Sequence, residues 1–230
     1  MYLRLLFPTV MAFLSGLVIL AGCGGSSVGD NTAGFFPLAT GNQWHYNVMC
    51  YHVSSTVGVP DTLTLNVEPF HYYDNGSAYP VRFTFESNPS FAYTWNLKWE
   101  DSGLRKYGET YAGNEFRYWP SEVMLQPGLP SVQRWVSTVS VDDDLNIGPQ
   151  SLSTTYEVVS VESVDTDMGS FDTAVKVKSY PTTGGAYLYH YAWYVEGVGM
   201  VRMEEYVLSE ITGSAAISYR YSLSSYSLQP

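Results

Sequence analysis

The chain has 230 residues, a formal net charge of −11, and 16% aromatic residues, with 20 tyrosines among them. Acidity of this order argues against nucleic acid as a partner and against direct contact with anionic head groups, since both repel it. An apolar content of 45% can fill the core of one domain without disulfide staples, and there are only 2 cysteines.

The chain opens MYLRLLFPTVMAFLSGLVILAGCGG. Arg4 and the terminal amine give positive charge, residues 5–20 are apolar except at Pro8, Thr9, Ser15 and Gly16, and Leu20-Ala21-Gly22 leads to Cys23. As a helix, residues 5–20 would rise about 24 Å, short of a hydrocarbon core of about 30 Å. A basic start, a short apolar stretch and a small-residue end form the pattern of an export signal. The segment resembles the signal of bacterial lipoproteins, in which the cysteine thiol is diacylglycerylated and the peptide is cut just before it. That resemblance implies a signal peptide over 1–22, a lipid anchor at Cys23 and attachment to a bilayer of the cell envelope. Gly24, where retained lipoproteins carry Asp, resembles those forwarded to the periplasmic face of the outer membrane. The residues after Cys23, up to position 34, are rich in Gly and Ser and read as a flexible tether.

From residue 35 to 230 the chain reads as a single β domain. Period-2 segments recur throughout. WHYNVMCYHV (44–53) is followed by TLTLNVEPF (62–70), VRFTFE (81–86) and FAYTWNLKWE (91–100). Short runs at 103–108 and 114–119 precede RWVSTVSV (134–141), STTYEVVSVESV (153–164) and FDTAVKVKSY (171–180). AYLYHYAWYV, GMVRMEEYVL and AAISYRYSL complete the series. Turn residues separate the strands, including Asp101-Ser102-Gly103, Met168-Gly169 and Gly197 to Gly199. One turn of helix is expected near Ser121 to Gln126, ended by Pro127. The fold class is therefore all-β: an antiparallel meander of about ten to twelve strands, forming a strongly curved sheet, a half-open barrel or a sandwich.

Three stretches, PLATGNQWHY (37–46), VVSVESVDTDMGSFDTAVKVKS (158–179) and WYVEGVGMV (193–201), occur in an order that resembles a loose set of uncharacterised bacterial lipoproteins. The resemblance implies a curved sheet or half-open barrel, similar in shape to periplasmic lipoprotein carriers. It brings no catalytic residues.

Signals for chemistry are sparse. VDDDLNIG (141–148) approaches a calcium loop, but counting from Asp142 the sixth and twelfth places hold Ile147 and Ser153 instead of Gly and Glu. His45, His52, His71 and His190 show no metal-ligand spacing, so no metal and no cofactor is expected. Glu204 and Glu205 are adjacent and so project to opposite faces of their strand. Cys50, in phase with Trp44, Tyr46 and Val48, is expected to be a buried, inert thiol.

Several strands are apolar on both faces, and 186–195 most of all. An aromatic-lined cavity would draw on Trp95, Trp99, Tyr189, Tyr191 and Trp193. The expectation is a protein without catalysis that binds an apolar ligand such as a lipid. The alternatives are a module docking another envelope protein and, third, a glycan-acting enzyme.

Overall fold

The computed structural model describes residues 34–51, 57–73, 76–90, 92–143, 150–182, 188–208 and 215–229. The leader, Cys23 and the tether up to Ala33 lie outside the described residues, as do His52, Asp144 and Asn146.

Thirteen strands are present among the described residues: β1 (Gln43–Tyr51), β2 (Gly58–Val67), β3 (His71–Tyr73), β4 (Gly76–Phe85), β5 (Tyr93–Glu100), β6 (Gly103–Tyr111), β7 (Asn114–Leu125), β8 (Arg134–Asp143), β9 (Gln150–Thr166), β10 (Gly169–Pro181), β11 (Leu188–Val195), β12 (Gly199–Leu208) and β13 (Ala215–Ser227). Sequential antiparallel neighbours run from β4 to β13, β13 pairs with β1, β1 with β2, and β2 with β4. The sheet therefore closes on itself as a barrel of twelve strands, with β3 as an extra strand hydrogen-bonded to β4. Closure removes the open edges that would otherwise recruit other chains.

Alternation sets the inside. Trp44, Tyr46 and Val48 of β1 are buried, as are Leu63, Leu65 and Val67 of β2, Val81 and Phe83 of β4, and Tyr93, Trp95 and Leu97 of β5. Aromatic stacking fills much of the interior. Phe83 lies 4.4 Å from Tyr93 and 4.5 Å from Trp95, and Trp135 stacks on Tyr156 at 5.2 Å. Such pairs add about 0.5–1.5 kcal/mol each beyond their buried area.

One end of the barrel is plugged by the segment before β1. Phe36 stacks on Trp44 at 4.4 Å, and its carbonyl accepts a bond from Trp99 Nε1 at 3.2 Å. Asn42 is wholly buried, donates from Nδ2 to the Pro37 carbonyl (2.8 Å), and accepts from the Gln229 amide at Oδ1 (2.6 Å). The first and third motifs meet here: Trp44 Nε1 donates to the Val198 carbonyl (2.7 Å), and Tyr46 Oη to that of Met200 (2.7 Å). Gly199 sits at φ +110°, and a Cβ there would come within 3.2 Å of Phe36 and Trp44. Only glycine meets both demands without displacement.

The helical turn expected at Ser121 to Gln126 is instead the end of β7. Leu125, Val123 and Glu122 pair with Leu104, Arg105 and Lys106 of β6. Long-range pairing decides that segment, since so short a helix is unstable alone.

Candidate functional site

At the end opposite the plug the described residues leave a space inside the barrel. The antiparallel order brings together the end of β1, the start of β2, the ends of β4, β6 and β12, and the starts of β5, β11 and β13. They enclose a cavity of about 700 Å³. Phe85, Tyr93, Tyr111, Leu188, Val207, Tyr219 and Tyr221 supply its apolar and aromatic lining, with Asp61, Ser218 and Glu205 among its polar groups. The volume and the balance of apolar wall to few polar groups match ligand pockets in general.

Three strands build a polar group within the cavity wall. His190 of β11 lies opposite Glu205 of β12, which lies opposite Tyr219 of β13. An irregularity in the β12–β13 register between Glu205 and Tyr206 leaves Ser218 beside the carboxylate. Ser218 Oγ donates to Glu205 Oε1 at 2.7 Å, and His190 Nε2 lies 3.3 Å from Glu205 Oε2. In a serine–histidine–carboxylate triad the serine proton goes to an imidazole that the carboxylate orients. Here the carboxylate stands between the two, so the serine proton points at Glu205. The hydroxyl and the imidazole thus both hold the Glu205 carboxylate in place, an order different from that triad.

Deeper in the barrel lies a second buried group. Lys106 is completely buried, and its Nζ is 2.6 Å from Glu109 Oε2, 4.7 Å from the Trp95 ring centre and 5.0 Å from that of Tyr118. Tyr118 donates to Glu109 (2.8 Å) and Tyr156 to Glu122 (2.7 Å). Burial pushes the Glu122 carboxyl above its ordinary range, against the pull of Lys106. Burial likewise holds the hydroxyls of Tyr93, Tyr156 and Tyr221 well above their usual value, so all three stay protonated.

The five aromatic residues expected to line a cavity are not among those bordering this one. Trp95 faces inward but is fully buried in the packed core. Trp99 packs at the plugged end. Tyr189, Tyr191 and Trp193 lie on the outer wall, because the inner face of β11 is His190, Ala192 and Tyr194. Lys176 and Lys178 share the outer side: Lys176 Nζ is 4.6 Å from the Trp193 ring centre, and Lys178 Nζ is 4.8 Å from that of Tyr189. Glu204 and Glu205 do diverge as expected, with Glu204 outside on Arg202 (2.5 Å) and Arg220 (3.0 Å). Cys50 differs from expectation: it is half-buried and lines the cavity. It sits beside Tyr219, whose hydroxyl burial pushes up.

A second groove, of about 860 Å³, runs along the outside of β1, β2 and β13 beneath the tip of the β9–β10 hairpin. That tip is tied down by the Met168 amide on the Leu223 carbonyl (2.9 Å), the Asp167 amide on Ser222 Oγ (2.9 Å), and Asn47 Nδ2 on Asp167 (3.0 Å). Its arginines are held by Glu204 and its Asp61 by Ser87. The inner cavity is more enclosed and more apolar, and is the better candidate. Among the described residues no cluster of three metal-ligating side chains occurs, and no helix is long and apolar enough to cross a membrane.

No protein-family model and no curated protein matches the chain. Two solved structures resemble it. One is an inferred lipoprotein from Parabacteroides distasonis, 18% identical, with a TM-score of 0.45, covering 84% of this chain and 98% of its own. The other is an inferred exported protein with a YmcC-like fold from Bacteroides fragilis, 16% identical, with a TM-score of 0.41, covering 84% of this chain and 99% of its own. Likeness at this level defines neither a family nor an activity for this chain.

Proposed function

We propose that this protein is a lipid-anchored, non-catalytic component of the bacterial cell envelope that binds an apolar ligand, such as a lipid, in the end of its barrel opposite the plug. The single observation that carries the reading is the cavity of about 700 Å³ walled by Phe85, Leu188, Val207 and the tyrosines. The leader ending at Cys23 supports attachment through acyl chains, and Gly24 supports the periplasmic face of the outer membrane. The order of Ser218, Glu205 and His190 supports binding over catalysis.

Native mass spectrometry of residues 35–230, purified without detergent, tests the binding role. A co-purified mass that Val207→Trp removes, with the circular dichroism unchanged, is the expected result. Retention of that mass by the filled variant would place the ligand elsewhere. The anchor has its own test: mass analysis of the protein extracted from membranes, with a diacylglyceryl group expected on the Cys23 sulfur.

A further inference from the structure

Among the described residues, those lining the cavity carry two carboxylates, Asp61 and Glu205, and no lysine or arginine. Both acids are held in place by the protein. The Ser218 hydroxyl and His190 fix Glu205. Asp61 accepts from the Thr62 amide (2.8 Å), the Ser87 amide (3.1 Å) and the Ser87 hydroxyl (2.5 Å). Burial opposes ionisation of Asp61, but the bonds from Ser87 and Thr62 outweigh it and hold the carboxyl below its ordinary value. The cations of this region are committed elsewhere. Asp61 also borders the outer groove lined by Arg202 and Arg220, but both arginines sit on Glu204 there, and Lys106 is paired with Glu109 in the core.

Much of the remaining lining is aromatic, beside aliphatic Val59, Leu188 and Val207. Tyr51, Phe85, Tyr93, Tyr111, Tyr219 and Tyr221 border the space. An aromatic face carries negative potential and attracts a positive charge set over it, most strongly where water is excluded. An anionic head group would meet two carboxylates and the same ring faces with no compensating cation. An uncharged chain would use the apolar wall alone and draw nothing from the charge of the two acids.

We propose that the cavity is selective for cationic amphiphiles: an apolar chain ending in an ammonium or quaternary ammonium group that sits between Asp61, Glu205 and the tyrosine faces. This rests on the cavity being a ligand site, and it names the chemistry of that ligand. The overall charge of −11 favours the encounter as well, by raising the local concentration of cations.

Calorimetric titration of the full chain in nanodiscs of uncharged glycolipid, with empty nanodiscs as blank, tests it using hexyltrimethylammonium, hexanoate and hexanol. The cationic probe is expected to bind about tenfold or more tightly than either of the others, a difference of about 1.4 kcal/mol. Asp61→Asn with Glu205→Gln is expected to bring the three together. Equal affinities in the natural chain, or tighter binding of hexanoate, would overturn the cationic selectivity while leaving the cavity a ligand site. Binding of none of the three would overturn both. The comparison of probes on the natural chain decides even if the double variant does not fold.

Discussion

The indole nitrogen of Trp44 is 2.7 Å from the carbonyl oxygen of Val198, a residue 154 positions later in the chain. This bond joins the first barrel strand to the turn between β11 and β12, and it does so in a fully buried setting. Trp44→Phe keeps most of the ring but leaves that carbonyl without its donor. An orphaned buried acceptor costs about 1–3 kcal/mol, so the urea midpoint should fall with little change in slope. An unchanged midpoint would mean that the bond contributes nothing net.

Lys106 and Glu109 form a buried pair whose partners cannot be removed singly at low cost. Lys106→Met leaves a buried carboxylate, and breaking such a pair costs about 3–5 kcal/mol. Adding Glu109→Gln should recover much of that loss. A double-mutant cycle by urea denaturation checks it; additive effects of the two changes would show the charges to be uncoupled.

Glu122 gives the fold a pH dependence of definite sign. Burial raises its folded-state pKa above the ordinary carboxyl value, so the folded protein holds this proton more tightly than the unfolded chain. The stability that the proton contributes is complete below the unfolded pKa of about 4.3, and is lost as pH rises through the raised folded value. Glu122→Gln removes that dependence. The variant should gain stability relative to the natural chain as pH increases from 4 to 7, and denaturation at several pH values measures it. A difference that does not vary with pH would show that Glu122 titrates normally.

Cys50 lines the cavity and is half-buried, which makes it a reporter of occupancy. With Cys23 acylated, as proposed above, it is the one thiol left to alkylate. Iodoacetamide should modify Cys50 several-fold more slowly when an apolar probe fills the cavity. Mass spectrometry follows the rate; labelling indifferent to the probe would place the thiol outside the bound volume.

The strands were legible wherever one face is apolar and the other polar. Trp44, Tyr46 and Val48 alternate with Gln43, His45 and Asn47, and they point inward as read. β11 is aromatic on both faces, so alternation alone could not choose between them. The choice is made by register: Lys176 and Lys178 stand opposite Trp193 and Tyr191, which turns those rings outward. Lys106 was illegible for a different reason. Arg105-Lys106 reads as a solvated pair, yet the register irregularity between Lys106 and Gly108 accompanies a lysine packed wholly inside the wall. Glu205 offered one usable hint. Next to Glu204 on a strand, one of the two acids had to face inward, but its partners His190 and Ser218 come from neighbouring strands that no local pattern connects.

The seam between β1 and β13 has a further consequence for how the molecule is made. Gln43 pairs with Ser227, so the opening strand waits for nearly the last residues before its second edge is covered. During synthesis from the amino terminus, every earlier strand can bond to its predecessor while this one stays half-clothed. Loss of the last residues of β13 would thus uncover the start of β1, leaving an adhesive edge where Gln43 and Trp44 are now paired.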